Sequence, residues 1–233
     1  IVEKQISSIK LNGYNTTEPL DKKVQNLEIS LVITVSPKAI IEKFKEKLQK
    51  SYAGAQISFT TSPYATFVVA RDFLQAPNEF MIIDIGEEVT DIAYVKNDLF
   101  LYQHSFPVGI YELYRTISKD GHGSIEESQA LIEAFRINKL SATMTKNIQK
   151  GLNTFGKLWQ RTLQECIDAN QYTIKIPATS YSISDYRFNT FFETLLKNDP
   201  FLGQLLATTN YTLTPIATES LLKHASSSTP DRL

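Results

Sequence analysis

Glycine supplies only nine of the 233 residues, roughly 4% where folded proteins average about 7%. The nine are scattered, at 13, 54, 86, 109, 121, 123, 151, 156 and 203, and no two are adjacent. A phosphate cradle needs glycines close together so that its backbone amides can approach the anion, which disfavours a conventional nucleotide loop. A lone cysteine, Cys166, excludes an internal disulfide and a cysteine-built zinc site. His104, His122 and His224 lie far apart, none at a metal-ligand spacing. Charge of one sign is missing too: 24 basic residues meet 25 acidic ones, which removes the electrostatic footprint of a nucleic-acid binder. No apolar run approaches the roughly 20 residues of a membrane span. Walker A, HExxH, GxSxG and GxGxxG patterns are all absent. The chain begins at Ile1 with no apolar leader, so we expect a piece of a longer protein.

What is present is a folded composition, 42% hydrophobic and 21% charged, long enough for a sizeable core. Residues 27–35 read as a strand with one or both faces covered. Ser36-Pro37 then opens a helix whose Ile40, Ile41, Phe44 and Leu48 form one stripe, expected to lie on a sheet. Gly54 closes that unit, a short strand is expected at 55–59, and Ser62-Pro63 starts a second helix. Phe80 to Ile85, Thr90 to Lys96 and Leu99 to Phe106 form three strands, the last two joined by the turn Asn97-Asp98. A helix follows Pro107-Val108-Gly109, and Ser124 with Glu127 gives the Ser-x-x-Glu capping box of the next. Apolar residues from Met144 to Ile167 keep steps of three and four, which predicts one long helix with Cys166 on its buried stripe. A strand at 172–176, a serine-capped helix at 184–197, a strand at 211–213 and a helix at 217–224 complete the reading.

One segment says more. Residues 82–109 run Ile-Ile-Asp-Ile-Gly-Glu-Glu-Val-Thr-Asp, a hairpin, then Pro-Val-Gly. This resembles the second phosphate segment of the actin-like ATPase superfamily, Asp-x-Gly-x-x-Thr-Thr-Asp, and most of all the form found in FtsA and PilM. The strand at 27–34, its helix, Gly54 and Tyr64-Ala65 resemble the extra subdomain of those proteins. The resemblance implies an α/β chain of mixed sheets with the actin-like (ribonuclease H-like) fold. It divides the chain into an extra subdomain over 1–76 and an actin-like second domain over 77–233.

By the same resemblance the loop 84–91 would wrap the β- and γ-phosphates of ATP. Asp84 would sit on the metal side with magnesium, Gly86 would allow close approach, Glu87, Glu88 and Val89 would span the loop, and Thr90 and Asp91 would fix it. Glu87 and Glu88 depart from that pattern, standing where FtsA has glycines. Two carboxylates beside a triphosphate cost several kcal/mol unless a cation intervenes. A second departure is the glycine-free stretch Pro177 to Ser184, where nucleotide-binding relatives have a glycine-rich turn. The family's first phosphate loop lies outside the chain. The expectation is a degenerate scaffold, non-catalytic or weakly nucleotide-binding and with no cofactor required, acting through protein partners of a division or pilus complex and capable of self-association. The alternative is an active magnesium-dependent ATPase. The resemblance implies a cytoplasmic place at the inner face of a bacterial membrane, with any membrane attachment made by segments outside this chain.

Overall fold

The computed structural model describes residues 1–121, 123–169, 176–198 and 211–217. Two sheets organise them. The first is small and antiparallel, built from β1 (Glu3–Leu11), β2 (Tyr14–Asn15) and β3 (Leu27–Thr34) in the order β2-β1-β3. The helices α1 (Lys38–Ser51) and α2 (Ser62–Asp72) follow. The second sheet takes β4 (Glu79–Ile85), β5 (Thr90–Lys96) and β6 (Leu99–Phe106), then α3 (Ile110–Gly121), α4 (Ile125–Arg136) and α5 (Ala142–Asp168). It is completed by β7 (Thr179–Ile183), a 3-10 turn (Tyr186–Phe188), α6 (Asn189–Asn198) and β8 (Thr212–Pro215). Its order is β6-β5-β4-β7-β8, antiparallel from β6 to β4 and parallel from β4 to β8.

β4 is central because it is apolar on both faces. Its even residues, Phe80 and Ile82, pack with Phe67 and Ala70 of α2. Its odd residues, Met81, Ile83 and Ile85, join Leu113 of α3 and Phe155 and Trp159 of α5. Each such side chain contributes about 1.5–3 kcal/mol on burial. The β5–β6 hairpin closes through Asn97 (φ 50°) and Asp98 (φ 63°), two residue types that tolerate the positive φ its tight turn needs without glycine. The expected capping box holds α4: the Ser124 hydroxyl accepts from the Glu127 amide and the Glu127 carboxylate from the Ser124 amide. Cys166 lies on the buried stripe of α5, its thiol held up in pKa by burial and its carbonyl accepting from the Tyr102 hydroxyl at 2.9 Å.

Several expectations are corrected. α1 forms, but none of its residues is buried, and Ile40 and Phe44 of its stripe stay 49% and 56% exposed. β3 is likewise largely uncovered. No strand forms over 55–59. The glycine-free stretch 177–184 is mostly strand β7 rather than a turn, because Tyr181 and Ile183 alternate with Ser180 and Ser182 and serve the α2-side core. Of the strand expected at 172–176, only Ile176 lies within the described residues. Asp185, not Ser184, caps the helical segment after β7, accepting from the Arg187 amide. The last strand sits at Thr212–Pro215, and the helix expected at 217–224 lies outside the described residues apart from Ala217. α2 packs on the large sheet.

Candidate functional site

In an open sheet with parallel strands, ligands meet the carboxyl ends of those strands, where connections diverge. Here those ends belong to β4 and β7. A cleft of about 180 Å³ lies at this edge, lined by Ile85, Gly86, Glu87, Ile110, Tyr111, Tyr114, Gln129, Asp185 and Arg187. Thus Gly86 and Glu87 of the predicted loop reach it, while the other predicted residues do not line it.

The loop between β4 and β5 is tied down by its own backbone. The Gly86 amide donates to the Val89 carbonyl at 2.9 Å. The Gly86 and Glu87 carbonyls accept from the Ile110 and Tyr111 amides, at 3.0 and 2.7 Å. Those are free amides of the first turn of α3, the kind of donor that a helix offers to an anion. Gly109 permits this closeness, since a Cβ there would overlap the Glu87 carbonyl. Glu88 turns away and pairs with Arg115 of α3, which also meets Glu112 at 3.4 Å.

Thr90 is fully buried, its hydroxyl donating to the Val108 carbonyl (2.7 Å) and accepting from Trp159 Nε1 (3.1 Å). It thereby binds the loop's end to the Pro-Val-Gly segment and to α5. Asp84 and Asp91 stand opposite each other on β4 and β5, on the face toward α2. Burial raises the Asp84 pKa, opposed by a hydrogen bond with Ser62 and reinforced by the Asp91 charge. Asp91 accepts from the Ser105 hydroxyl. Among the described residues no three His, Cys, Asp or Glu side chains come together as a metal site.

The far wall of the cleft comes from residues that the sequence reading missed. Arg187 Nε donates to both Asp185 carboxylate oxygens, at 2.9 and 2.8 Å, and the guanidinium reaches the Tyr114 hydroxyl at 3.4 Å. This pairing lowers the Asp185 pKa, while burial raises that of Tyr114, which also bonds Gln129. The Ser-Tyr-Ser-Ile alternation before Asp185 was the signal that would have placed β7 and, with it, this pair.

A β4-β5-β6 meander extended by the parallel strands β7 and β8, with helices on both faces, is the actin-like fold. No family model and no curated protein matches the chain in sequence. Among solved structures, the PilM-PilN type IV pilus biogenesis complex matches with a TM-score of 0.54 at 12% identity, covering 96% of this chain and 62% of that one. MreB 5 of Spiroplasma citri bound to AMPPNP matches with a TM-score of 0.51 at 12% identity, over 83% of this chain and 65% of that one. The ethanolamine utilization protein EutJ from Carboxydothermus hydrogenoformans scores 0.42 at 16% identity, over 68% and 50%. The chain therefore spans less than two thirds of each. The match to PilM takes in the small sheet as well as the large one, in keeping with the FtsA/PilM type of the fold.

Proposed function

We propose that this chain is part of a non-catalytic actin-like scaffold of the FtsA/PilM type, acting through protein partners in bacterial cell division or in pilus and envelope assembly, at the cytoplasmic face of the membrane. The observation that carries the reading is the capping of α3 by the Gly86 and Glu87 carbonyls. It takes up with protein carbonyls two first-turn amides that the start of α3 would otherwise offer to an anion. Two features agree with it. Glu87 lines the cleft, and the arginine that lines it is held by Asp185. Asp84, the carboxylate expected on the metal side, lies on the α2 side of the sheet rather than in the cleft, which supports a scaffold over a magnesium-ATP site.

The packing of α2 on the large sheet favours a domain boundary before Ser62 rather than after Ala76. Calorimetric titration of the full-length protein with magnesium-ATP tests the function: no binding is expected up to millimolar nucleotide, and a micromolar affinity would overturn it. The competing reading, a magnesium-dependent ATPase, draws on the paired carboxylates Asp84 and Asp91 and on the AMPPNP bound by MreB 5. It requires phosphate release that disappears in Asp84→Ala.

A further inference from the structure

An open sheet ends in two strands whose outer backbone groups have no ladder partner, and proteins blunt such edges by keeping them short or by placing charge or proline on them. Three of the four edges described here are blunted. β2 has two residues, β8 has four and ends on Pro215, and β3 carries Glu28. The fourth edge is β6. Its eight residues, Leu-Phe-Leu-Tyr-Gln-His-Ser-Phe, include no lysine, arginine, aspartate, glutamate or proline, and no described strand pairs with its outer side.

The edge is open and already ordered. Leu101, Gln103, His104 and Ser105 are exposed, Leu101 by 51%. Its one protective device is a bulge: Tyr94 pairs with Tyr102 and Val95 with Phe100, so Leu101 is the extra residue. Regular pairing with β5 then runs from Tyr102 to Phe106, and Pro107 ends the strand. Within that stretch Gln103 stands opposite Ala93, which belongs to the α2-side core, and the Tyr102 hydroxyl donates to the Cys166 carbonyl of α5. The strand is thus held in shape by β5 and α5, and a partner strand would meet it with little left to order.

Any extended segment could continue the ladder, but a second copy of β6 meets three conditions at once. Antiparallel pairing about a two-fold axis perpendicular to the sheet sets the same uncharged residues against one another, so no like charges meet. It keeps α2 of both copies on one face of the joined sheet and α5 of both on the other, the arrangement each face already has. It also closes: β8, at the other end of the sheet, is short and stops at proline, so the pairing uses up the one long edge described in this sheet.

We propose that β6 is a self-association edge, through which two copies of this protein join their large sheets into one continuous sheet. The interface uses neither the cleft nor the small sheet, and it does not depend on whether nucleotide binds. A strand pair of this length falls at the low end of interface sizes, so the dimer is weak and reversible.

Sedimentation velocity of the full-length protein over a concentration series tests it. A monomer–dimer equilibrium is expected, with the dimer prominent by about 100 µM. Gln103, exposed near the middle of the regular stretch, comes close to its own copy across the axis. Gln103→Lys and Gln103→Glu should each weaken the dimer about fivefold or more, and mixing the two variants should restore it to about parental strength. Leu31→Ser/Ile33→Ser, on the exposed face of the small sheet, should leave the dimer unchanged, and circular dichroism checks that every variant is folded. In hydrogen exchange the β6 amides should gain protection as concentration rises, while those of β3 should not. A protein that stays monomeric over the series overturns the proposal, as does self-association that Gln103→Lys leaves at full strength. It is also overturned if the two Gln103 variants fail to recombine, or if Leu31→Ser/Ile33→Ser dissociates the dimer, since the contact would then lie on the small sheet.

Discussion

β3 and β4 are strands of similar length and apolar content, yet Leu27, Ile29, Leu31 and Ile33 stay about half exposed while Phe80 to Ile83 are at most 3% exposed. β4 has helices against both of its faces, α2 on one and α3 with α5 on the other. β3 is an edge strand whose apolar face lies outside both cores, even though the amphipathic α1 follows it directly. An alternating pattern states that a strand has an apolar face; whether the chain covers that face is decided by packing. One sheet thus forms a core, and the other offers a surface.

The largest expected effect separates the two. Trp159 is fully buried, packed on Phe106 and Phe192 and bonded to Thr90. Trp159→Ala should cost about 3–5 kcal/mol of unfolding free energy, whereas Leu31→Ser should change it by about 0.5 kcal/mol or less. Urea denaturation measures both. Native-state hydrogen exchange should show β1–β3 amides opening well before those of β4 and β5. Equal costs for the two substitutions would mean that the β3 face is a core after all.

A middle-sized effect probes the loop that joins β4 to β5. Gly109→Ala must push a methyl group into the Glu87 carbonyl, so the α3 cap has to shift. We expect about 1–3 kcal/mol of destabilisation, visible as a lower thermal midpoint and faster exchange of the Ile110 and Tyr111 amides. An unchanged midpoint would show that the loop is held less tightly than its hydrogen bonds indicate, and would weaken the non-catalytic scaffold reading with it.

The hairpin and the long helix were legible because their signals are local. The Asn97-Asp98 turn fixes the register of β5 on β6, and a 3.6-residue period sustained from Met144 to Ile167 has one interpretation. The loop's resemblance to a phosphate segment was legible too. Its use was not, because the bonds from Ile110 and Tyr111 to Gly86 and Glu87 join residues more than twenty apart and involve only backbone atoms. β7 was not foreseen for a related reason. Thr-Ser-Tyr-Ser-Ile is short and half polar, and only its parallel pairing with β4 makes it a central strand. Asp185 and Arg187 were lost with it.

The smallest effect sets two carboxylates of the large sheet against each other. Asp84, near the end of β4, has its pKa raised, chiefly by burial, whereas Asp185, just after the neighbouring β7, has its own lowered, chiefly by hydrogen bonds from Arg187. The signs are opposite. A raised folded-state pKa gives a contribution that is full below the ordinary carboxylate value of about 4 and is lost as pH rises through the raised value. A lowered one gives a contribution present above about 4 and lost as pH falls through the lowered value. Asp84→Asn should therefore be more stable than the parent at neutral pH and Asp185→Asn less stable, each by about 1 kcal/mol or less. Both differences should shrink as the pH is brought toward 3, the first from above the parent curve and the second from below. Denaturation midpoints at pH 7, 5 and 3.5 measure them. If Asp84→Asn proved destabilising at neutral pH, the Asp84 carboxylate would have to be held by a positive partner, and a metal-binding role at that loop would return to consideration.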